Sequence, residues 1–296
     1  MLGERSDAQR RRRQTTDLAV LVGPAGLLTL FLFVTSMLML FRYSFYHFTG
    51  MQIIKSFSVE AYVDFFTDPF FGRILANGFR VGATTSLMLL LVGYPTAYAM
   101  ARIKKPGLLI ATFVLVFSPL LTSVIVRSYG WMLLLNNGGL INYLLRVLRV
   151  VQEPVQLLYN FTGVEIALVH VLMPFAVFPM LSVLLQMKPV LKDAAADLGA
   201  NRLQTFWHVT LPISLPGVLS AFQLSFVLSM SSFASVKMLG GGRVYVLPIS
   251  IYENIADRNW PLGAVQSIVL LSLVLMVMAV TNWVFRKAYI GPEGRQ

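Results

Sequence analysis

Long unbroken apolar blocks separated by short polar stretches dominate this chain. They show neither the alternation of a half-buried strand nor the single stripe of a surface helix. Six blocks stand out, at about Leu18–Phe41, Leu75–Met100, Leu108–Val126, Val164–Gln186, Ser214–Phe233 and Leu262–Phe285. Each is about 20 residues, the length that carries an α-helix across a bilayer's hydrocarbon core. A helix satisfies its own backbone polar groups there, where no water can. The alternating segments of about 10 residues that mark a membrane barrel are absent. The expectation is an all-α membrane protein with six transmembrane helices. Arg80 and Pro95 fall in the second block and predict a shortened or kinked core. Gly78 and Gly82 sit there at G-x-x-x-G spacing, which permits close helix approach.

Composition agrees. Of the 296 residues 56% are hydrophobic and 12% charged, about half the charge of a soluble domain, and mean hydropathy is +0.70. The net charge is +11. A basic balance first suggests nucleic acid, but the basic residues cluster at the ends of apolar blocks, so no nucleic-acid partner is expected. Cysteine is absent, excluding disulfides and Cys-based metal sites. His47, His170 and His208 are too scattered for a metal site, and no cofactor is expected. Arg10–Arg13 before an apolar stretch resemble the start of a signal peptide, but the stretch is too long and no small-residue cleavage site follows. It reads as a retained first span.

Lys/Arg bias sets the orientation. With the N-terminus inside, the inner segments carry Arg5 and Arg10–Arg13, then Arg102, Lys104 and Lys105, then Lys188, Lys192 and Arg202, then Arg286, Lys287 and Arg295. The outer segments dilute their cations with Glu60, Asp64, Asp68, Glu153, Glu253 and Asp257. An N-in, C-in topology follows. The aromatic-rich stretch Tyr43–Arg73 is expected along the outer interface, among membrane lipids. Trp131–Val151, interrupted by Asn136-Asn137-Gly138-Gly139, predicts a short helix or re-entrant element.

The segment between the fourth and fifth blocks is not an ordinary loop. Asp193-Ala194-Ala195-Ala196-Asp197 favours a short helix. Gly199 follows where a helix would stop, Leu203–Val209 reads as a second helix, and Leu211-Pro212 is expected to close it. This helix–turn–helix resembles the cytoplasmic "EAA" loop of binding-protein-dependent ABC importer permeases: Glu-Ala-Ala, three residues, Gly, nine residues, Ile-x-Leu-Pro. Asp193 stands for the Glu, Ala194 and Ala195 match, Gly199 is at the right spacing, Val209 stands for the Ile, and Leu211 and Pro212 match. The resemblance runs from about Leu75 to Ala288 and is closest to the spermidine/putrescine type. It is carried also by Gly93-Tyr94-Pro95-Thr96-Ala97-Tyr98, Val126-Arg127-Ser128-Tyr129-Gly130-Trp131, Asn137–Asn142, Leu239–Arg243 and Asn259–Gly263.

The resemblance implies the type I ABC importer permease fold in the inner (cytoplasmic) membrane. The expected division is a basic cytoplasmic N-terminus (1–17), a first span (18–41), a periplasmic loop (42–73), a permease core (74–286) with a cytoplasmic coupling loop (188–213), and a cytoplasmic tail (287–296). It implies a second permease subunit, two ATP-binding subunits and a periplasmic or lipid-anchored solute-binding protein as partners. By the same resemblance Asp193, Ala194, Ala195, Asp197, Gly199, Ala200, Leu211 and Pro212 belong to the docking element, with Phe206 and Trp207 packing it. No phosphate-binding G-x-x-x-x-G-K-[ST] loop is present, so ATP hydrolysis falls to another chain. The chain is expected to be a transport subunit, not an enzyme.

The solute is less legible. A polyamine path should offer carboxylates and aromatic faces, yet no Asp or Glu occurs from Pro69 to Gln152 or from Leu198 to Tyr252. Candidate path residues are Arg127, Tyr129, Trp131, Glu165, His170 and Lys237. Lys237 and Arg127 would favour an anionic or zwitterionic solute, unless they snorkel to the interface or pair with Glu165 or a partner subunit. His170, inside the fourth block, is either functional or a neutral ring bonded to a neighbouring helix. An ion-coupled secondary transporter is the rival reading. It needs carboxylates at the midplane and often inverted repeats, and neither is visible.

Overall fold

The computed structural model describes residues 2–50 and 52–289. The chain forms two compact units, one built from residues up to Phe65 together with Asn254–Ile268, the other from Phe66–Glu253 together with the chain from Val269 on. The helices long and apolar enough to cross a membrane are Gly23–Tyr43, Pro69–Met100, Phe161–Gln186, Arg202–Met230 and Trp260–Lys287, with one bent pair that adds a sixth if it counts as a single span.

In the first unit, α1 (Leu2–Tyr43) runs on as helix through residues 2–17, which the sequence set apart as a basic terminus. From Gly23 to Tyr43 none of its residues is buried, and Leu27, Phe31 and Phe33 are each at least 60% exposed. An apolar surface all round a helix suits lipid as the solvent. The aromatic stretch that follows is not purely helical: β1 (Tyr46–Phe48) and β2 (Ile53–Phe57) pair antiparallel, with Phe48 opposite Ile53. The all-α expectation therefore misses one hairpin. Ile53, Ile54 and Phe57 favour strand, and Gly50 takes the turn at φ +83°. Phe45 stacks on Phe57 at 5.2 Å and packs on Tyr62 of α2 (Glu60–Thr67) at 5.3 Å.

The second unit is organised by α3 (Pro69–Met100), α7 (Phe161–Gln186) and α10 (Leu211–Met230). α3 begins before the apolar block because Asp68 caps it, its side chain accepting from the Phe70 N–H at 2.8 Å. It is continuous from Pro69 to Met100 with Pro95 inside it, so the shortened core expected from Arg80 and Pro95 does not occur. The three helices bury Leu89, Ala97, Ala176, Val177, Met180 and Ala221 together. Small residues bring the backbones close. A Cβ on Gly82 would lie 3.0 Å from the Phe226 ring, and one on Gly217 only 2.9 Å from the Pro179 carbonyl oxygen. The G-x-x-x-G pair thus faces α10, as the spacing predicts. A second cluster joins Val81 and Leu168 to Leu135, Val236 and Leu239.

The third block departs from expectation. α4 (Pro106–Phe117) passes into a 3₁₀ turn at Ser118–Leu121, α5 (Val124–Leu135) follows, and the segment Val124–Val147 leaves Pro106–Leu121 at 107°. Pro119 cannot donate a backbone bond and Thr122 is extended, at φ −112° and ψ 144°. The Pro119 carbonyl left open by the break accepts from the Arg127 guanidinium. After Asn136–Gly139, α6 (Leu140–Val147) forms the expected short outlying helix. The chain is completed by α8 (Val190–Asp197), α9 (Arg202–Thr205), α11 (Ala234–Gly240), α12 (Leu247–Ala256) and α13 (Trp260–Tyr289). Of the expected tail 287–296, residues 290–296, Arg295 among them, lie outside the described residues. The side chains of Arg5 and Arg10–Arg13 also lie outside the description.

Candidate functional site

Two features of the second unit gather most of the residues singled out in the sequence: an elbow between α7 and α10, and a cavity beside the start of α7.

The elbow begins with α8. Its Asp193, Ala194 and Asp197 are exposed, while Ala195 is buried at 9%. The helix ends in a tight reversal at Gly199, whose φ of +82° suits a residue without a Cβ. The Ala200 N–H closes it onto the Ala195 carbonyl at 3.0 Å. Asn201 then starts α9 with a reciprocal capping box: its side chain accepts from the Gln204 N–H at 2.9 Å, and the Gln204 side chain accepts from the Asn201 N–H at 2.8 Å. The turn is therefore held on both sides.

Leu211-Pro212 does not close the second helix. Phe206–Thr210 forms a π segment, and the Leu211 N–H bonds to the Phe206 carbonyl, one residue further back than in an α-helix. That extra residue absorbs the proline's missing donor, so helix continues from Arg202 to Met230. Phe206 anchors the base of the elbow between Tyr94 and Tyr98 of α3, with ring centroids 5.9 and 5.6 Å away. Trp207 meets Phe206 edge-on at 5.4 Å but is itself 56% exposed, so it packs on one side only. Leu198 and Leu203 are 89% and 67% exposed. The elbow thus presents unburied apolar side chains on a stiff frame.

The cavity, of about 730 Å³, lies among α3, α4 and α7 and is walled by Met88, Leu91, Leu115, Val169, Glu165 and His170. A second one of about 370 Å³ shares Ser118, Pro119 and His170 with it and adds Arg127 and Trp131. Glu165, only 2% exposed, accepts from the Thr84 hydroxyl at 2.6 Å and the Thr85 hydroxyl at 2.8 Å. The Trp131 indole N–H donates to His170 Nδ1 at 3.2 Å. Since that nitrogen accepts with its lone pair, it carries no proton, and the neutral ring's proton sits on Nε2. Both features thus sit within one helical framework.

The family described as "binding-protein-dependent transport system inner membrane component" matches residues 27–288. The chain belongs to this family. The permease is 31% identical to the spermidine/putrescine transport system permease protein PotB of Haemophilus influenzae, over 74% of this chain and 78% of that one. Against PotB of Escherichia coli it is 29% identical, over 89% of this chain and 95% of that one. Its fold matches a chain in the crystal structure of a bacterial alginate ABC transporter in complex with an alginate pentasaccharide-bound periplasmic protein. There the TM-score is 0.71 at 18% identity, over 95% of this chain and 97% of that one. It is a transport component of the inner membrane and not an enzyme.

Of the permease's six candidate path residues, Arg127, Trp131, Glu165 and His170 line the two adjoining cavities. Tyr129 and Lys237 do not: Tyr129 is 58% exposed, and the Lys237 ammonium pairs with Glu253 of α12 at 3.0 Å, lying over the Phe233 and Tyr252 rings at 5.7 and 5.1 Å. Pairing with Glu165, one alternative from the sequence, does not occur. The sequence reading missed Thr84 and Thr85. Adjacent threonines in an apolar span, opposite its nearest carboxylate, were the available signal. Arg80 stacks on the Phe161 ring at 4.3 Å, which explains a guanidinium in that block.

The Tyr245 hydroxyl donates to Glu253 and holds its carboxyl below the usual range, with Lys237 adding to this against a smaller opposing effect of burial. A depressed carboxylate stabilises the fold above its unfolded value and loses that contribution as pH falls through its folded one. The Tm difference between the wild type and Glu253→Gln should therefore be constant from pH 5 to 8 and shrink below about pH 4. A difference that grows on acidification would contradict the pairing. The pair is partly exposed, so Lys237→Met should cost under ~1 kcal/mol and leave uptake selectivity unchanged.

Proposed function

We propose that this permease forms the membrane path of an ATP-driven importer together with a second permease, two ATP-hydrolysing subunits and an external solute-binding protein. The observation that carries the reading is the elbow at Gly199. A capped, sharply turned element transmits displacement where a floppy loop would absorb it. Its exposed Leu198, Leu203 and Trp207 offer an apolar surface to a companion chain, with Asp193 and Asp197 beside it. Asp193, Ala194, Ala195, Asp197, Gly199 and Ala200 form the docking side, Phe206 the anchor, and Leu211-Pro212 the junction into α10.

The basic segments at Arg102–Lys105 and Lys188–Arg202 support a cytoplasmic position for the elbow and both termini. The loaded binding protein docks outside. Closure of the ATPase pair draws the elbows inward and opens the permeases outward, and hydrolysis reverses the motion. ATP shifts this equilibrium only as far as it binds the two states differently, so the elbow carries that free-energy difference. The PotB relatives, named for spermidine and putrescine, support a polyamine-like or related organic solute.

Affinity purification of the tagged permease from native membranes tests the reading. An ATP-hydrolysing subunit should copurify, and its activity should rise when the loaded binding protein is added. A permease that purifies alone and transports in proteoliposomes on an ion gradient would instead be an ion-coupled carrier.

A further inference from the structure

The adjoining cavities carry groups of opposite charge type: Glu165 lines one, Arg127 lines the other, and His170 belongs to both. In the first is Glu165, whose two carboxylate oxygens each accept one threonine hydroxyl and keep lone pairs to spare. Among the described residues, no hydrogen bond or ion pair to a cation neutralises it. The nearby cation, Arg80, stacks on Phe161 and is not part of either cavity wall. In the second is Arg127. One guanidinium nitrogen donates to the Pro119 carbonyl, and Nε, buried, has no partner. Between them lie His170 and Trp131, bonded to each other and neutral.

The spacing follows from the helices. Glu165 and His170 are five residues apart on α7, about 7.5 Å along its axis. Trp131 touches His170, and Arg127 lies one turn before Trp131 on α5. The walls facing this span include Met88, Leu91, Leu115, Val169 and Met173. A solute reaching both charges needs them at the ends of an apolar spacer, not on one carbon.

We propose that this cavity selects an extended zwitterion, its ammonium toward Glu165 and its carboxylate or other oxyanion toward Arg127. This rests on the importer reading and narrows its solute. A diamine would place its second ammonium against Arg127, and a diacid would place an anion against Glu165. Each leaves a like-charge contact at low dielectric, a contact an interface normally avoids.

The test uses the intact purified importer, without its binding protein, and three six-carbon probes: 6-aminohexanoate, 1,6-diaminohexane and adipate. Calorimetric titration should show 6-aminohexanoate binding at least tenfold tighter than either other probe. Glu165→Gln, which keeps the threonine bonds, should lose tenfold for 6-aminohexanoate and gain for adipate. Arg127→Gln should lose similarly and gain for 1,6-diaminohexane, while Arg127→Lys retains the wild-type order. The proposal is overturned if the diamine binds best, if none of the probes binds, or if both neutral variants keep the wild-type order. Copurification of the ATP-hydrolysing subunit with each variant is scored separately: its loss in the wild type sinks the importer reading, whereas its retention alongside an unchanged probe order sinks only the zwitterion.

Discussion

Leu198→Asp should abolish ATP-driven uptake while leaving the permease folded and at normal abundance in the membrane. At 89% exposure the side chain supports nothing inside this chain, so its replacement leaves the fold alone. Against a partner's apolar groove the same change buries an unpaired carboxylate. Such a charge costs about 3–5 kcal/mol, which corresponds to a loss of association of roughly 100-fold or more. The measurement is the ratio of ATP-hydrolysing subunit to permease after affinity purification, with the permease's Tm as control. A wild-type ratio in a variant that no longer transports would place the defect elsewhere and remove Leu198 from the interface.

Gly217→Leu should have the larger structural effect. The first added carbon already meets the Pro179 carbonyl oxygen at 2.9 Å, Val183 at 3.1 Å and the Met180 Cα at 3.2 Å. Two of those three atoms are backbone, so relief requires α10 to move off α7 rather than a side chain to turn. Overpacking typically costs about 1–3 kcal/mol and more where the backbone must shift, a large share of a marginal stability. The Leu variant should fail to accumulate. Gly217→Ala should accumulate with Tm lowered by several degrees, as expected for roughly 1–2 kcal/mol. Gly72→Leu, where a Cβ meets nothing within 4 Å, should match the wild type. Equal behaviour at the two positions would show that the α7–α10 contact is looser than described.

The elbow was legible because its determinants are local. A glycine at the end of a short alanine-rich helix, and an aromatic pair after it, report backbone conformation directly. Five of the six expected spans were legible for a similar reason, since length and apolarity are one-dimensional. The break at Thr122–Ser123 was not, because the apolar run continues across it and Pro119 was its one marker. Proline also misled in the opposite sense at Pro212, where a π segment supplies the residue that lets the helix continue. The hairpin at Tyr46–Phe57 depends on pairing across a turn, which aromatic content alone did not reveal. The bonds of Thr84 and Thr85 to Glu165 join residues about 80 positions apart. Periodicity carries no record of such long-range meetings.

The uninterrupted run of helix from Arg202 to Met230 has a mechanical corollary. Twenty-nine residues at 1.5 Å each make a rod of about 43 Å. Pivoted near one end, a tilt of only 5° moves the other end by nearly 4 Å, enough to widen or pinch a passage sized for one small molecule. The rod also contains one irregular collar, the i→i+5 bonded turn at Phe206–Thr210, the kind of place where a helix bends most readily. A displacement at the Arg202 end of this rod would then reach its Met230 end as swing, less whatever bend the collar absorbs.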